Sequence, residues 1–98
     1  MDTNTPCEAL RSGQCLEIRY HGFSRVVEVH TCGVSTADNR AMRVWQVRGG
    51  SESNEPVGWK LLLLDDAVSF GILSEKSSAP RHGYKRGDKA FSRITCQV

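Results

Sequence analysis

Within Arg40–Gly50, RAMRVWQVRGG, an arginine and a tryptophan stand two positions apart, at Arg43 and Trp45. Residues two apart in an extended chain share a face, so a guanidinium and an indole would lie side by side. Such a pair can hold an anion and stack a flat ring, because arginine presents a planar fork to phosphate and an indole presents a broad π surface. A plainer role suits the same two residues. An Arg lying over a Trp on the outside of a small protein contributes packing and a cation–π contact of ~0.5–1 kcal/mol.

Other chemistry-bearing residues make weaker patterns. His30 and Cys32 are also two apart and so point the same way, toward a neighbour such as Cys15 or Cys96. A structural zinc site shows closely spaced ligand pairs and four ligands, and no C-x-x-C pair is present, so no metal and no cofactor is expected. A Cys–His nucleophile would need an orienting carboxylate and an oxyanion hole. Neither has a motif here, and no catalytic residue is assigned. Asp65 and Asp66 are adjacent at a strand end and face opposite ways, so they are not an acid/base couple. Gly49-Gly50-Ser51 lacks the Lys-Ser/Thr that opens the helix of a phosphate loop. His21 and His82 fall in turns.

The elements that must carry these residues are mostly strands. Thr5-Pro6-Cys7-Glu8 reads as a capping box with Pro at the first helical position, and Gly13 as the stop. A short helix over 6–12, with Ala9 and Leu10 inward, must dock on something to be stable. Leu16, Ile18 and Tyr20 then alternate with Cys15, Glu17 and Arg19, which is a half-buried strand. His21-Gly22-Phe23-Ser24 turns into a second strand, with Val27, Val29 and Thr31 on one side and Val26, Glu28, His30 and Cys32 on the other. The Arg43 strand has Met42, Val44, Gln46 and Arg48 on its second face. Trp59–Leu64 is apolar on both faces and needs cover on both. Strands are expected at about 14–20, 25–32, 40–48, 58–64, 67–73 and 91–98, with a long tied-down loop over Ser74–Lys89. The chain reads as mainly β: one small barrel of five or six antiparallel strands with a leading helix, spanning 1–98 as a single domain.

Composition narrows the partners. Thirteen Lys and Arg against eleven Asp and Glu leave a net charge of +2, too little to imply strong global attraction to nucleic acid. The charge is unevenly spread, however. Residues 49–75 hold one Lys against five acids, and residues 76–98 hold six Lys or Arg against one Asp. A basic tail of this kind either steers an anionic partner or pairs with the acidic middle. No apolar run approaches the ~20 residues of a membrane span, and the first dozen residues lack a signal-peptide pattern. A cytoplasmic protein with four reduced, scattered cysteines is the expectation.

With the strands in place, the chain resembles the WYL domain, an Sm-like or SH3-like β-barrel. Ala9-Leu10 and Leu16-Glu17-Ile18-Arg19-Tyr20 fit the family's opening. Arg25-Val26-Val27-Glu28-Val29-His30, Met42-Arg43-Val44-Trp45-Gln46, and Gly58-Trp59-Lys60 through Leu64-Asp65 fit its next three strands. The naming tripeptide falls on Arg40, Ala41 and Met42, Val29 stands where proline is usual, and Asp66 where a basic residue is usual. The resemblance implies a stand-alone form without the family's helix-turn-helix domain. It further implies a non-enzymatic sensing or regulatory module for a nucleotide, a single-stranded nucleic-acid fragment or another anionic ligand. Carried over by position, the ligand-binding residues are Arg25, Arg43 and Lys60, with Trp45 beside them. A second expectation is a homodimer formed through the doubly apolar Trp59–Leu64.

Overall fold

The computed structural model describes residues 1–98. A helix, α1 (Asn4–Ser12), leads into β1 (Gln14–Tyr20) and β2 (Phe23–Ser35), then β3 (Arg40–Gly49), β4 (Gly58–Leu63), β5 (Ala67–Lys76) and β6 (Phe91–Gln97). All six strands belong to one antiparallel sheet with the order β4-β3-β2-β1-β5, and β6 is added against β2. The two edge strands, β4 and β5, are joined by a single 3-10 turn, Leu64–Asp66. So short a link leaves them no room to lie apart, and the sheet curls until its edges approach. The Leu63 amide at the end of β4 donates to the Tyr20 hydroxyl at the end of β1 (3.0 Å), which fastens that closure. This is the small β domain with a leading helix that the strand spacing predicts.

β2 organises the molecule because it is shared between the two halves of the curl. Its first half pairs with β1, from Leu16 opposite Val27 to Tyr20 opposite Phe23. Its second half pairs with β6, from Thr31 opposite Gln97 to Ser35 opposite Phe91, while β3 runs along the other edge throughout. The β1–β2 connection is tighter than the four-residue turn expected. Only His21 and Gly22 form it, both at positive φ (48° and 81°), the conformation that matches the twist of a two-residue hairpin.

The core lies inside the curl. Leu16 and Ile18 from β1, Val27 and Val29 from β2, and Met42 and Val44 from β3 form it with Leu62 and Leu64. The helix closes one side with Cys7 and Ala9, while Leu10 is only partly buried. Nine residues are too few for an isolated helix, and docking on β1, β2 and β6 supplies what propensity does not.

Three further expectations are corrected. First, the helix starts at Asn4, with Thr3 at its cap position and no side-chain cap; the Asn4 amide instead meets the Asp2 carboxylate at 2.9 Å. Thr5 and Glu8 are thus inside the helix, and Pro6 sits in its first turn, where the missing N–H has no intrahelical use. Second, the cysteines are not all free. Cys7 of α1 is bonded to Cys96 of β6, and only Cys15 and Cys32 are thiols, both buried. The partners are 89 residues apart in sequence, so spacing held no sign of the pairing. Third, β2 is not evenly alternating. Val29 lies opposite Val44 but Thr31 opposite Arg43, so one residue is extra, a β-bulge that reverses the facing of the residues beyond it. Cys32 therefore joins Val27 and Val29 in the core. His30 keeps the outward facing of Glu28, and the expected His30–Cys32 pair does not exist.

Candidate functional site

The outer face of β2, β3 and β4 carries the chemistry. Trp45 lies opposite Trp59 on β4 and Glu28 on β2. Their register is set by the period-two pattern of β3, which sends Met42 and Val44 inward and Arg43 and Trp45 outward. The two indoles meet edge to face with centroids 5.3 Å apart. His30, outward at the bulge, packs edge-on against Trp59 at 4.7 Å and against Tyr84 at 5.2 Å.

Residues 77–90 are laid over this face as a strap and tied to it by buried polar groups. Glu28 is 1% exposed and accepts from Arg81 Nε (2.7 Å), Arg81 Nη2 (3.1 Å) and the Ser78 amide (2.7 Å). The Arg81 amide donates to His30 Nε2 (3.0 Å), and His30 Nδ1 lies 3.0 Å from the Glu28 carbonyl oxygen. An Nε2 that accepts and an Nδ1 that donates describe a neutral ring. Burial pushes the His30 pKa down, which favours the same form. The Arg81 guanidinium also lies over Trp45, 5.5 Å from its centroid. The strap thus covers much of the face that a sequence reading leaves open.

Beside the covered region a groove of about 490 Å³ remains, with Arg43 and Trp59 contributed by the sheet and Gly83–Lys89 by the strap. Four cations line it (Arg43, Lys85, Arg86 and Lys89) with one acid, Asp88, and two aromatic rings, Trp59 and Tyr84. Gly83, at φ 94°, lies against the indole edge, where a Cβ would stand 3.2 Å from Trp59 Nε1. Any larger residue would crowd that edge. The Tyr84 hydroxyl is fixed by the backbone oxygen of Val98 (3.0 Å). Asp88 pairs with Arg43, Nε to Oδ2 at 2.7 Å and Nη2 to Oδ1 at 3.4 Å, and its Oδ1 accepts from the Ala90 amide at 2.9 Å. The guanidinium holds the Asp88 carboxyl below the usual carboxylate range.

Of the four residues expected to bind ligand, the structure brings Arg43 and Trp45 together and separates the other two. Arg43 lines the groove, while Trp45 lies beneath Arg81. Arg25 is 3% exposed and points into one end of the curled sheet, its guanidinium between the rings of Tyr20 (5.0 Å) and Phe23 (5.6 Å). Its nearest polar partner is Gln46 Oε1, at 3.5 Å. Lys60 faces away from Trp59 and donates to the hydroxyls of Ser51 and Ser53 (2.9 and 3.0 Å). Sequence reading missed Tyr84, Lys85, Arg86 and Lys89. The signal for them was the cationic excess after residue 75, but nothing in it said where the strap would lie.

No group of three His, Cys, Asp or Glu side chains is placed to hold a metal ion. No family model, curated protein or solved structure matches the chain, so its chemistry is read from its own groups.

Proposed function

We propose that this chain is a non-enzymatic binding module for a small anionic ligand of the nucleotide or nucleic-acid-fragment class, held in the groove between β3, β4 and the strap. One observation carries the reading: four cations and two aromatic rings converge on a single open concavity, with one carboxylate among them. Phosphate is the natural counterpart of such a cluster, and a flat base is the natural counterpart of indole and phenol surfaces. The resemblance to WYL domains supports a sensing role of the same kind.

The test is a titration with adenosine diphosphate and with a short single-stranded oligonucleotide, read by tryptophan fluorescence at low and at moderate salt. Binding should weaken as salt rises, because phosphate contacts release counterions. Lys85 and Lys89 are exposed, so Lys85→Ala with Lys89→Ala leaves the fold intact and should weaken binding on the order of tenfold. Unchanged affinity in that double variant would place the ligand elsewhere.

A second reading has its own observation. β4 ends the sheet, pairing only with β3, and its Leu61 is 40% exposed. Self-association along that edge would give a homodimer in sedimentation, and a monomer at micromolar concentration would dismiss it.

A further inference from the structure

We propose that Asp88 is an internal competitor for the groove: in the free protein its carboxylate holds the place on Arg43 that a ligand phosphate takes when bound. The inference rests on the reading of the groove as an anion site and adds how that site is occupied and released. Arg43 points its fork, Nε and Nη2, at two oxygens of one carboxylate, which is also how a guanidinium engages two oxygens of a phosphate. The pair is partly accessible, with Arg43 28% and Asp88 15% exposed. It borders the open volume rather than lying beneath it.

The charges around the pair decide which anion can displace Asp88. Lys85, Arg86 and Lys89 all line the same groove, yet Asp88 forms its ion pair with Arg43 alone. A monoanionic carboxylate would exchange like for like on Arg43 and gain little. A phosphate or diphosphate brings more charge and more acceptor oxygens, and so recruits the lysines as well. The groove is accordingly selective for multiply charged phosphates over simple carboxylates. The segment Gly83–Gly87 is itself tied down, by the Tyr84 hydroxyl and Arg86 Nε to the Val98 oxygen and by the Gly87 amide to Gln97 Oε1, so the exchange asks only the Asp88 side chain to turn off Arg43. The Glu28–Arg81 anchor lies outside that segment and need not break.

Asp88→Asn separates this role from a merely structural one. The asparagine keeps a side-chain oxygen for the Ala90 amide, removes the charge, and puts an NH2 donor where Oδ2 accepted from Arg43 Nε, so that Arg43 is left free for the ligand. With inorganic pyrophosphate as the probe, Asp88→Asn should bind on the order of ten times tighter than the parent protein, the effect of removing one like charge from the site. Acetate should bind neither protein measurably. If pyrophosphate binds the parent, and Lys85→Ala with Lys89→Ala weakens it, but Asp88→Asn binds equally or less tightly, Asp88 only positions Arg43 and the competitor role is overturned while the groove reading stands. If neither protein binds pyrophosphate or adenosine diphosphate at low salt, both fall together.

Discussion

His21 sits at the tip of the first hairpin between two carboxylates, with Nε2 2.9 Å from Asp66 and Nδ1 in contact with Glu52. The hydrogen bond to Asp66, and then that to Glu52, push its pKa above the ordinary value of 6.5. His30 shifts the other way, lowered chiefly by burial. These shifts have opposite consequences for stability. The folded state holds the His21 proton more tightly than the unfolded chain does. Its contribution is complete below the unfolded pKa and is lost as pH rises through the folded value. For His30 the neutral form is favoured, so its contribution is complete above the unfolded pKa and is lost as pH falls through the folded value. Urea unfolding midpoints measured from about pH 5 to 8, the range in which histidines titrate, should show both slopes. His21→Gln should flatten the alkaline side and His30→Gln the acid side; matching profiles for both variants and the parent would contradict the assignment. The sequence marked His21 only as a turn residue, because Glu52 and Asp66 are 31 and 45 residues away.

At the scale of elements, the strap docks where the bulge interrupts β2. The bulge sends Cys32 into the core and leaves His30 outward, and the His30 imidazole takes the Arg81 amide. Glu28, on the same outer face, takes the Arg81 side chain and the Ser78 amide. Replacing Glu28 with Gln leaves a buried site with one acceptor fewer and no charge for the guanidinium. The expected result is local release. The Ser78 and Arg81 amides should exchange with solvent on the order of ten times faster, while amides of β1 and β3 keep their protection. Uniform acceleration throughout would mean that the strap is part of the core rather than a cover on it. Strand existence and facing were legible in β1 and in β3 as far as Gln46. Beyond it Val26 lies opposite Arg48 but Val27 opposite Gln46, so Val47 is an extra residue and Arg48 leaves the buried face on which Met42, Val44 and Gln46 lie. Facing was misread again in the second half of β2, because a bulge leaves no mark in a run such as Val-Glu-Val-His-Thr-Cys.

For the whole molecule, the Cys7–Cys96 bond ties α1 to the last strand and closes nearly the entire chain into one loop. A cross-link over so long a loop restricts the unfolded chain, and its loss typically costs about 2–4 kcal/mol. Cys96→Ser should therefore lower the melting temperature by roughly 10 °C or more in a domain of this size. Thiol titration of the denatured, unreduced protein should count two free thiols, Cys15 and Cys32; a count including Cys7 and Cys96 would mean that the bond is absent. Burial holds the Cys32 thiol up at about 11, so slow modification of the folded protein is expected at neutral pH.

Period-two hydrophobicity and turn residues were enough, with the chain alone, to give a small antiparallel barrel of five or six strands, most of the strand boundaries and a short leading helix. These are local properties, carried by neighbours in sequence. Where the chain folds back on itself was decided only in three dimensions: Cys7 against Cys96, Asp88 on Arg43, and the strap across Trp45 and Trp59. Each of those contacts joins residues far apart in sequence, and the preference for it exists only once the sheet has brought both partners to the same face.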